Sequence, residues 1–540
     1  MTHNGIAHGS AGWRTIIVSV HLLLLASSAR ADIRLHRLFT DQMVLQRDMP
    51  VSVYGVADPE ERVTVQFAGQ RVSTTATAKG VWTVTLAPMP ANAAGQELTI
   101  TGTNTITLKN VLIGDVWLCS GQSNMDFRLH SCNVQQDIDT ADFRGIRFMT
   151  LPIICAERAQ EDIQTREPWV RWNTCSRQTA GGVSAVGFYF ARKIHRETGV
   201  PIGLLVSSVG GTNIEKWMPR EAFAGTQNLD EIGKTIDRAI AEYRKDVAES
   251  LGKVEQWLPK ARQALQAGQD LPEAPDIPRH PSMPGSRAGG NWLHLYNGMI
   301  HPLSRFSIRG AIWYQGENNS EEEDTYVAKM NAMIGTWRKA WGQQFPFYYV
   351  QLANWLKPTD VPSGEDKQWR WQMCRMGQLK ALKIPRTGMA VIIDVGDADD
   401  IHPRNKLDVG ERLALWALAR DYGKTSLVYS GPLFKEMNVE GSKISITFDS
   451  VGSGLMVGQK NGTEPTREVN GGKLKRFAIA GEDRKWLWAD AAIDGNTVVV
   501  SSPNVPSPVA VRYAFSINPE GCNLYNKEGL PASPFRTDDW

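Results

Sequence analysis

Two patterns of apolar residues occur along the chain. Near both ends, short segments alternate apolar and polar residues with a period of two, which is typical of half-buried β-strands. Between about residues 111 and 425, apolar runs alternate with segments of helical periodicity, which is typical of βαβ units around a parallel sheet. We therefore predict an α/β protein in which β-sandwich-like modules flank a central parallel-sheet domain. The alternating segments are residues 51–55, 62–67, 81–86 and 97–101 near the start and 443–448, 497–501 and 510–515 near the end.

These patterns also set the expected domain boundaries. Three domains fit a chain of 540 residues at about 100 to 200 residues each. We expect a helical insertion at about 219–290, because residues 228–267 are helical in pattern and residues 271–290 are rich in Pro and Gly. The first β domain is interpreted as a packing partner, with sugar binding or a lid as the alternative. The expected domains are residues 32–110 (β), 111–425 (α/β) and 426–540 (β).

The first 31 residues have the pattern of an export signal. Arg14 precedes an apolar run over residues 15–26, and Ala29 and Ala31 form a small-x-small cleavage site. We expect cleavage near Ala31 and a periplasmic or extracellular product. The apolar run is shorter than the about 20 residues that a membrane span needs, and no later segment has the required length and apolarity.

Charge and cysteine content narrow the classes of partner. Without Arg14 and Arg30, the 59 Lys and Arg residues become 57, equal to the 57 Asp and Glu residues. A neutral chain without a basic run argues against nucleic-acid binding. No Cys or His spacing is typical of a metal site, so we expect no metal and no cofactor. Cys155 and Cys175 bracket a short excursion and are the most plausible disulfide pair.

Four polar, glycine-rich stretches each follow an apolar run that predicts a buried strand. Because the carboxyl ends of parallel strands meet at one edge of a sheet, we expect these stretches to converge. Ser123 lies in the first of them, in a strand-to-helix turn where it is either a nucleophile or a helix cap. The four stretches are residues 119–125, 206–212, 313–318 and 399–403.

These residues resemble the sialate O-acetylesterase and carbohydrate acetylesterase branch of the SGNH (GDSL-like) hydrolases. The resemblance implies a flavodoxin-like, three-layer catalytic domain over residues 111–425 and ester hydrolysis by a serine. It is carried by Gly121-Gln122-Ser123-Asn124, Gly210-Gly211-Thr212, Trp313-Tyr314-Gln315-Gly316-Glu317 and Asp399-x-x-His402, and it extends to residues 114–117, 217–219, 349–354 and 401–406.

The expected nucleophile needs a base to take its proton, and histidine has a suitable pKa. His402 is the best candidate because Asp399, three residues earlier, is close enough in a turn to orient its imidazole. Asp400 competes for that role, and the resemblance to the D-x-x-H pattern favours Asp399. His294 and His301 are alternative bases, but neither has a carboxylate close in sequence.

Ester hydrolysis also needs hydrogen-bond donors for the oxyanion of the tetrahedral intermediate. Backbone N–H groups beside a glycine can approach the substrate closely. The amide of Gln315 is the third donor that the resemblance implies, and we expect Glu317 and Asn318 to support its loop, as Asp400 would support the base. The expected oxyanion donors are Ser123, Gly210, Gly211 and Gln315.

The sequence thus predicts an exported serine esterase that removes O-acetyl groups from a sugar or glycan through an acetyl-enzyme intermediate. The resemblance implies sialate 9-O-acetyl esters as substrate, with acetylxylan or another polysaccharide as the alternative. A sialate carboxylate would need an arginine, and Arg128 or Arg404 could serve. A carbohydrate-binding protein without catalysis is the alternative of another class. The oligomeric state stays open.

Overall fold

The computed structural model describes residues 32–364 and 370–540. The predicted signal peptide, residues 1–31, lies outside the described residues. Within the described ranges, no helix is both long enough and apolar enough to cross a membrane.

Strands dominate both ends of the chain, and helices occur between them. The strands of the first part are β1 Arg34–Leu35, β2 Val44–Gln46, β3 Val51–Val56, β4 Arg62–Phe67, β5 Gln70–Thr75, β6 Val81–Leu86, β7 Asn92–Thr101 and β8 Thr105–Gly121. Those of the middle part are β9 Asp142–Thr150, β10 Asn173–Ser176, β11 Ile202–Ser208, β12 Gly310–Tyr314, β13 Phe347–Gln351 and β14 Thr387–Val391. Those of the last part are β15 Leu433–Glu440, β16 Lys443–Asp449, β17 Leu455–Gln459, β18 Arg467–Glu468, β19 Phe477–Gly481, β20 Trp486–Trp488, β21 Asp490–Asp494, β22 Thr497–Ser501, β23 Pro508–Tyr513, β24 Leu524–Asn526 and β25 Phe535–Arg536. The α-helices are α1 Ser123–Asp126, α2 Gln135–Asp139, α3 Ala185–Thr198, α4 Gln227–Gln266, α5 Asp324–Trp341, α6 Trp371–Lys380 and α7 Lys406–Asp421.

A parallel sheet forms the centre of the molecule. Its strand order is β10-β9-β11-β8-β12-β13-β14, and only β10 pairs antiparallel along this path. Strands β11, β12 and β13 are buried along their whole length, as is β8 from residue 111 onward. Burial on both faces explains why these strands read as continuous apolar runs in the sequence.

Helices cover both faces of this sheet. Neighbouring residues of a strand point to opposite faces. In β13, the Phe347 ring lies 6.0 Å from Trp337 of α5, whereas the Tyr348 ring lies 6.3 Å from Trp416 of α7. Helices α5 and α7 therefore pack on opposite faces, which makes the central part a helix–sheet–helix arrangement and confirms the predicted α/β class.

The first β module is continuous with the central sheet. Strand β8 runs from residue 105 to 121 without interruption, across the predicted boundary at residue 110. Its first half pairs with β7, and residues 112–114 pair with β2. The apolar side chains of this module belong to the same hydrophobic core as those of the central domain. This shared core agrees with a packing role for the module, while the division at residue 110 stays a prediction.

The predicted helical insertion is largely one long helix. Helix α4 spans 40 residues, begins with a Thr226 side chain that accepts a hydrogen bond from the Leu229 N–H, and contains Pro259. Residues 271–290, after it, form neither helix nor strand, as their Pro and Gly content predicts.

The last β module has a hydrophobic core of its own. It is attached to the central domain by Arg375 of α6, whose side chain is fully buried. The Arg375 guanidinium donates to the carbonyls of Leu352 and Ala353 beyond β13 and to those of Ser516 and Ile517 in the last module, at 2.6 to 2.9 Å. Because a buried guanidinium needs an acceptor for its N–H groups, this side chain fixes the two parts together.

The predicted disulfide between Cys155 and Cys175 is wrong. All six cysteines are free thiols. Cys175 lies in β10 with its thiol near Arg192 of α3, whereas Cys155 lies in the segment after β9, near Lys216. Closeness in sequence did not bring the two thiols together, because the intervening segment carries them to different neighbours.

Candidate functional site

Ser123 is the first residue of α1 and is separated from the end of the central strand β8 only by Gln122. Gly121 before it has φ 136°, and a Cβ at that position would lie 2.2 Å from the Tyr314 carbonyl oxygen. The turn therefore requires glycine, since it passes too close to β12 for any side chain. The Ser123 side chain is partly exposed, whereas Gln122 and Asn124 on either side of it are buried.

His402 contacts the serine. Its Nε2 atom lies 2.8 Å from Ser123 Oγ. The ring stacks on Phe127 with centroids 5.8 Å apart and planes 13° apart, which fixes its orientation. Burial, followed by the nearby Lys406 ammonium, lowers the pKa of His402, while Asp400 acts in the opposite direction. The imidazole is thus neutral at neutral pH, the state in which it can accept the serine proton.

The carboxylate beside the imidazole is that of Asp400. Its Oδ1 atom lies 3.4 Å from His402 Nδ1 and accepts the His402 backbone N–H at 2.8 Å. Asp399 is exposed, and within the described residues it forms no ion pair or hydrogen bond with the imidazole. The structure therefore places Asp400 beside the imidazole, and not Asp399, which was predicted to orient it. The Asp400 carboxylate folds back to accept the His402 N–H, and this local turn directs Asp400, and not Asp399, toward the ring.

Two backbone N–H groups beside the serine are open to an oxyanion. The Ser123 N–H opens α1, where helix geometry provides no acceptor, and the Gly210 N–H has no acceptor within the described chain. A Cβ at Gly210 would lie 3.3 Å from the Ser123 Cβ, so this glycine passes alongside the nucleophile. Gly211 has φ 66°, and its carbonyl accepts the Asn318 side-chain amide at 3.0 Å.

Gln315 does not have a free donor. Its side chain is fully buried. Its Nε2 atom donates to the Thr212 carbonyl at 3.1 Å and to Asn319 Oδ1 at 2.8 Å, and its Oε1 atom accepts the Tyr326 hydroxyl at 2.9 Å. An amide nitrogen carries two protons, and both are engaged. The resemblance implies that the Gln315 amide faces the site. In this structure it instead joins the loops after β11 and β12.

Asn124, which belongs to the Gly121-Gln122-Ser123-Asn124 motif but had no predicted role, is also part of the site. Its Nδ2 atom donates to Glu317 Oε1 at 2.6 Å and to the Ile401 carbonyl at 3.1 Å, and its Oδ1 atom accepts from Lys406 Nζ. It therefore joins the serine turn, the loop after β12 and the histidine loop. Glu317 is buried and accepts the Asn124 amide, while its expected support of the Gln315 loop stays a prediction. The position of Asn124 beside the nucleophile was the only sequence signal for this role.

A cavity of about 650 Å³ has Gly210 in its wall, and a Cβ at this glycine would lie 3.3 Å from Ser123 Cβ, although Ser123 and His402 themselves do not line the cavity. It is also lined by the two guanidinium groups of Arg128 and Arg171 and by the half-exposed ring of Trp169. Arg128 is held by Asp126 Oδ1 at 2.8 Å. Arg171 has no side-chain hydrogen bond or ion pair within residues 32–364 and 370–540. The cavity therefore carries a positive charge that has no partner within the described chain.

The other predicted residues lie away from this cavity. Arg404 donates to the Ser131 carbonyl at 2.9 Å and is not part of the cavity wall. The imidazoles of His294 and His301 hydrogen-bond backbone carbonyls of Trp292 and Gln160, and within the described residues neither forms a hydrogen bond with Ser123. In the described part of the chain, no group of three or more His, Cys, Asp or Glu side chains is arranged to hold a metal ion.

Comparison with known proteins places this α/β chain among the carbohydrate esterases, which are carboxylic ester hydrolases. The model of the family described as carbohydrate esterase, sialic acid-specific acetylesterase, matches residues 113–251 and 283–418. The chain belongs to this family. The gap between the two matched ranges covers the end of α4 and most of the irregular segment that follows it.

Individual relatives agree along nearly the whole chain. The sialate O-acetylesterase of Mus musculus is 30% identical over 96% of this chain and 97% of that protein. That of Homo sapiens is 30% identical over 94% of this chain and 93% of its own length. Among solved structures, a carbohydrate acetylesterase from Xanthomonas citri superposes with a TM-score of 0.75 at 35% identity, covering 94% of this chain and all of that one.

The two carboxylates of the histidine loop can be distinguished by substitution. We expect Asp400→Asn to lower kcat for an acetyl ester by about 10²-fold, because an amide cannot stabilise the imidazolium that forms during proton transfer. Asp399→Asn should change kcat less than about three-fold, since its carboxylate is exposed and does not face the ring. Steady-state kinetics on both variants decide the matter. The reverse order of effects would return the role to Asp399.

Gln315→Ala should act mainly on stability. It removes three buried side-chain hydrogen bonds, with the Thr212 carbonyl, Asn319 Oδ1 and the Tyr326 hydroxyl, each contributing about 0.5 to 1.5 kcal/mol, and it leaves a cavity in their place. We expect a clearly lower melting temperature and little change in kcat per folded molecule. Gln351→Ala, which removes another fully buried glutamine, is the matched control. A large loss of kcat at unchanged melting temperature would make Gln315 an oxyanion donor.

Proposed function

We propose that the protein hydrolyses O-acetyl esters of carbohydrates with Ser123 as nucleophile and His402 as general base. The observation that carries this proposal is the 2.8 Å contact between Ser123 Oγ and His402 Nε2 at the carboxyl edge of a parallel sheet. A serine hydroxyl is a weak nucleophile until a base takes its proton, and a neutral imidazole at hydrogen-bond distance is the base that enzymes use most often.

The reaction proceeds in two halves. Ser123 Oγ attacks the acetyl carbonyl carbon while His402 Nε2 takes the hydroxyl proton, and the N–H groups of Ser123 and Gly210 stabilise the resulting oxyanion. His402 then returns the proton to the sugar oxygen, the ester bond breaks and the acetyl group stays on Ser123. A water molecule attacks this acetyl-enzyme, again with His402 as base, and releases acetate and free Ser123. Asp400 holds the imidazole and stabilises its protonated form.

We assign the central domain to the SGNH type of hydrolase. The helix–sheet–helix layers, the serine at the end of the middle strand and the histidine loop before the last helix of the domain support this assignment. The oxyanion donors that this geometry favours are backbone groups, with Gly210 beside the serine and Gly211 shaping the loop by its positive φ.

The substrate class that the cavity favours is an acidic sugar. A sialic acid carries a carboxylate, and Arg171 offers a guanidinium without a partner within the described chain. Trp169, 48% exposed, offers an aromatic face for a sugar ring. A neutral acetylated xylan would leave the positive charge of the cavity without a function. We therefore propose O-acetylated sialic acid ahead of acetylxylan.

Activity should depend on the serine and the histidine as one unit. We expect Ser123→Ala and His402→Ala each to lower acetate release from O-acetylated sialic acid by about 10³-fold or more, and the double variant to be little worse than either. Lys424→Met, a substitution of an exposed residue beyond α7, is the control for effects of expression and purification. Retention of more than about a tenth of the wild-type turnover in Ser123→Ala would exclude the proposed nucleophile. A wild-type protein that binds the sugar without releasing acetate would instead be a binding protein.

Arg171 should matter for the acidic substrate alone. We expect Arg171→Gln to raise KM for O-acetylated sialic acid about two- to five-fold, the size expected for loss of one solvent-exposed charge pair. KM for acetylated xylose should not change, because that sugar has no carboxylate. Arg144→Gln, an exposed arginine at the opposite end of β9, is the matched control. Equal effects on both substrates would show that Arg171 does not recognise the carboxylate.

A further inference from the structure

Lys406 is a buried cation in an unusual setting. It is the first residue of α7, and its side chain has no exposed surface. Lysine is almost never fully buried unless it is paired with a carboxylate. Within the described chain, Lys406 forms no ion pair. Its Nζ atom donates to Asn124 Oδ1 at 2.5 Å and lies 4.9 Å from the Phe127 ring centre and 5.4 Å from that of Tyr314.

The contact with Lys406 determines how the Asn124 amide is oriented. An ammonium group can only donate, so Asn124 must turn its oxygen toward Lys406. The Nδ2 group then points the other way, to Glu317 Oε1 and the Ile401 carbonyl. Ile401 directly precedes His402. The amide held by Lys406 therefore connects the turn that carries Ser123 to the loop that carries His402.

The ammonium also acts on the imidazole through space. The Phe127 ring contacts both groups, stacking on His402 and lying under Lys406. The positive charge contributes to the lowered pKa of His402. Burial lowers the pKa of Lys406 itself to about 7, so the lysine is protonated over the acidic range in which His402 titrates. The Glu317 and Asp400 carboxylates favour the ammonium form of Lys406, whereas the nearby Cys132 thiol, whose pKa burial raises to about 11, carries no charge in that range.

Resting on the proposed function, we infer that Lys406 is a positioning residue for the hydrolysis reaction: it locks the Asn124 bridge between nucleophile and base and holds a positive charge at the Phe127 ring on which the base stacks. The lysine touches neither Ser123 nor substrate in this role. It acts through Asn124 on geometry and through its charge on His402.

The melting temperature and the activity of Lys406→Met together distinguish a structural role of Lys406 from a positioning role. Replacing an unpaired buried charge by an apolar side chain of similar size is often neutral or stabilising, because the cost of desolvating the charge disappears. Methionine retains much of the aliphatic stem of lysine. Lys406→Met removes that desolvation cost but also leaves the buried Asn124 Oδ1 without its donor, so the two effects oppose each other and the melting temperature should change little. A loss of function in a protein of undiminished stability cannot be ascribed to unfolding.

The test compares Lys406→Met, Lys406→Arg and the control Lys424→Met. For Lys406→Met we expect kcat to fall about ten-fold or more with KM nearly unchanged, as for other residues that hold a catalytic group in place. The acidic limb of its kcat/KM profile should move to higher pH, since the cation that disfavours protonation of His402 is gone. Lys406→Arg retains the charge, so its acidic limb should stay at the wild-type pH even if kcat falls. Lys424→Met should match the wild type throughout.

A direct titration separates this inference from the proposed function. In protein labelled with ¹³C at the histidine Cε1 atoms, the His402 signal, identified by its loss in His402→Asn, should titrate at higher pH in Lys406→Met than in the wild type. This readout needs no esterase activity. The inference is overturned if neither the His402 titration nor kcat changes in Lys406→Met, or if Lys406→Arg shifts the titration as much as Lys406→Met. Absence of serine-dependent acetate release from the wild type would contradict the proposed function alone.

Discussion

The pairing of β8 with a parallel strand on each side is the constraint on which the site depends. Gly121, at the end of β8, lies opposite Ser208 of β11 and Tyr314 of β12. The three strands therefore end at one level, and the loops that follow them meet. This register brings Gly210 alongside the nucleophile and places Glu317 behind it. A shift of one residue between these strands would also reverse the faces on which their buried side chains lie, so the packing of the core protects the geometry of the site.

The histidine is not placed by this register. His402 follows β14, which is separated from β8 by β12 and β13. The loop between residue 391 and α7 must cross back toward the serine, and a loop of that length has many conformations unless side chains hold it. The Asn124 bond to the Ile401 carbonyl provides such a hold directly next to the base. The Asn405 side chain, which caps α7 by accepting the Asp408 N–H, fixes where the loop ends.

The sequence predicted most of the elements and only part of the site. Helix α7 lies in the part of the chain where helical periodicity alternates with apolar runs, and the buried strands coincide with those runs, because periodicity is a local property of the chain. The domain boundary predicted at residue 110 does not coincide with the end of a secondary-structure element, because strand β8 continues from residue 105 to 121. The choice between Asp399 and Asp400 depends on the direction of single side chains in a turn, which spacing does not determine. The bonding of Gln315 depends on Asn319 and Tyr326, whose approach is visible only in three dimensions.

A second buried network clarifies what is particular about Lys406. Behind Gln315, Asn319 donates to Glu215 and Glu322, and Lys329 pairs with the same two carboxylates at 2.7 and 2.5 Å. The charge of Lys329 is thus compensated where it lies, and stabilising the loops is a sufficient reason for its burial. Lys406 has an amide oxygen and two aromatic rings in place of a carboxylate. Such partners compensate a buried charge less well than a carboxylate does, so stability alone does not explain why the chain keeps a lysine there. Undercompensated charges occur preferentially at functional sites, and the Phe127 ring that Lys406 contacts is the one on which His402 stacks.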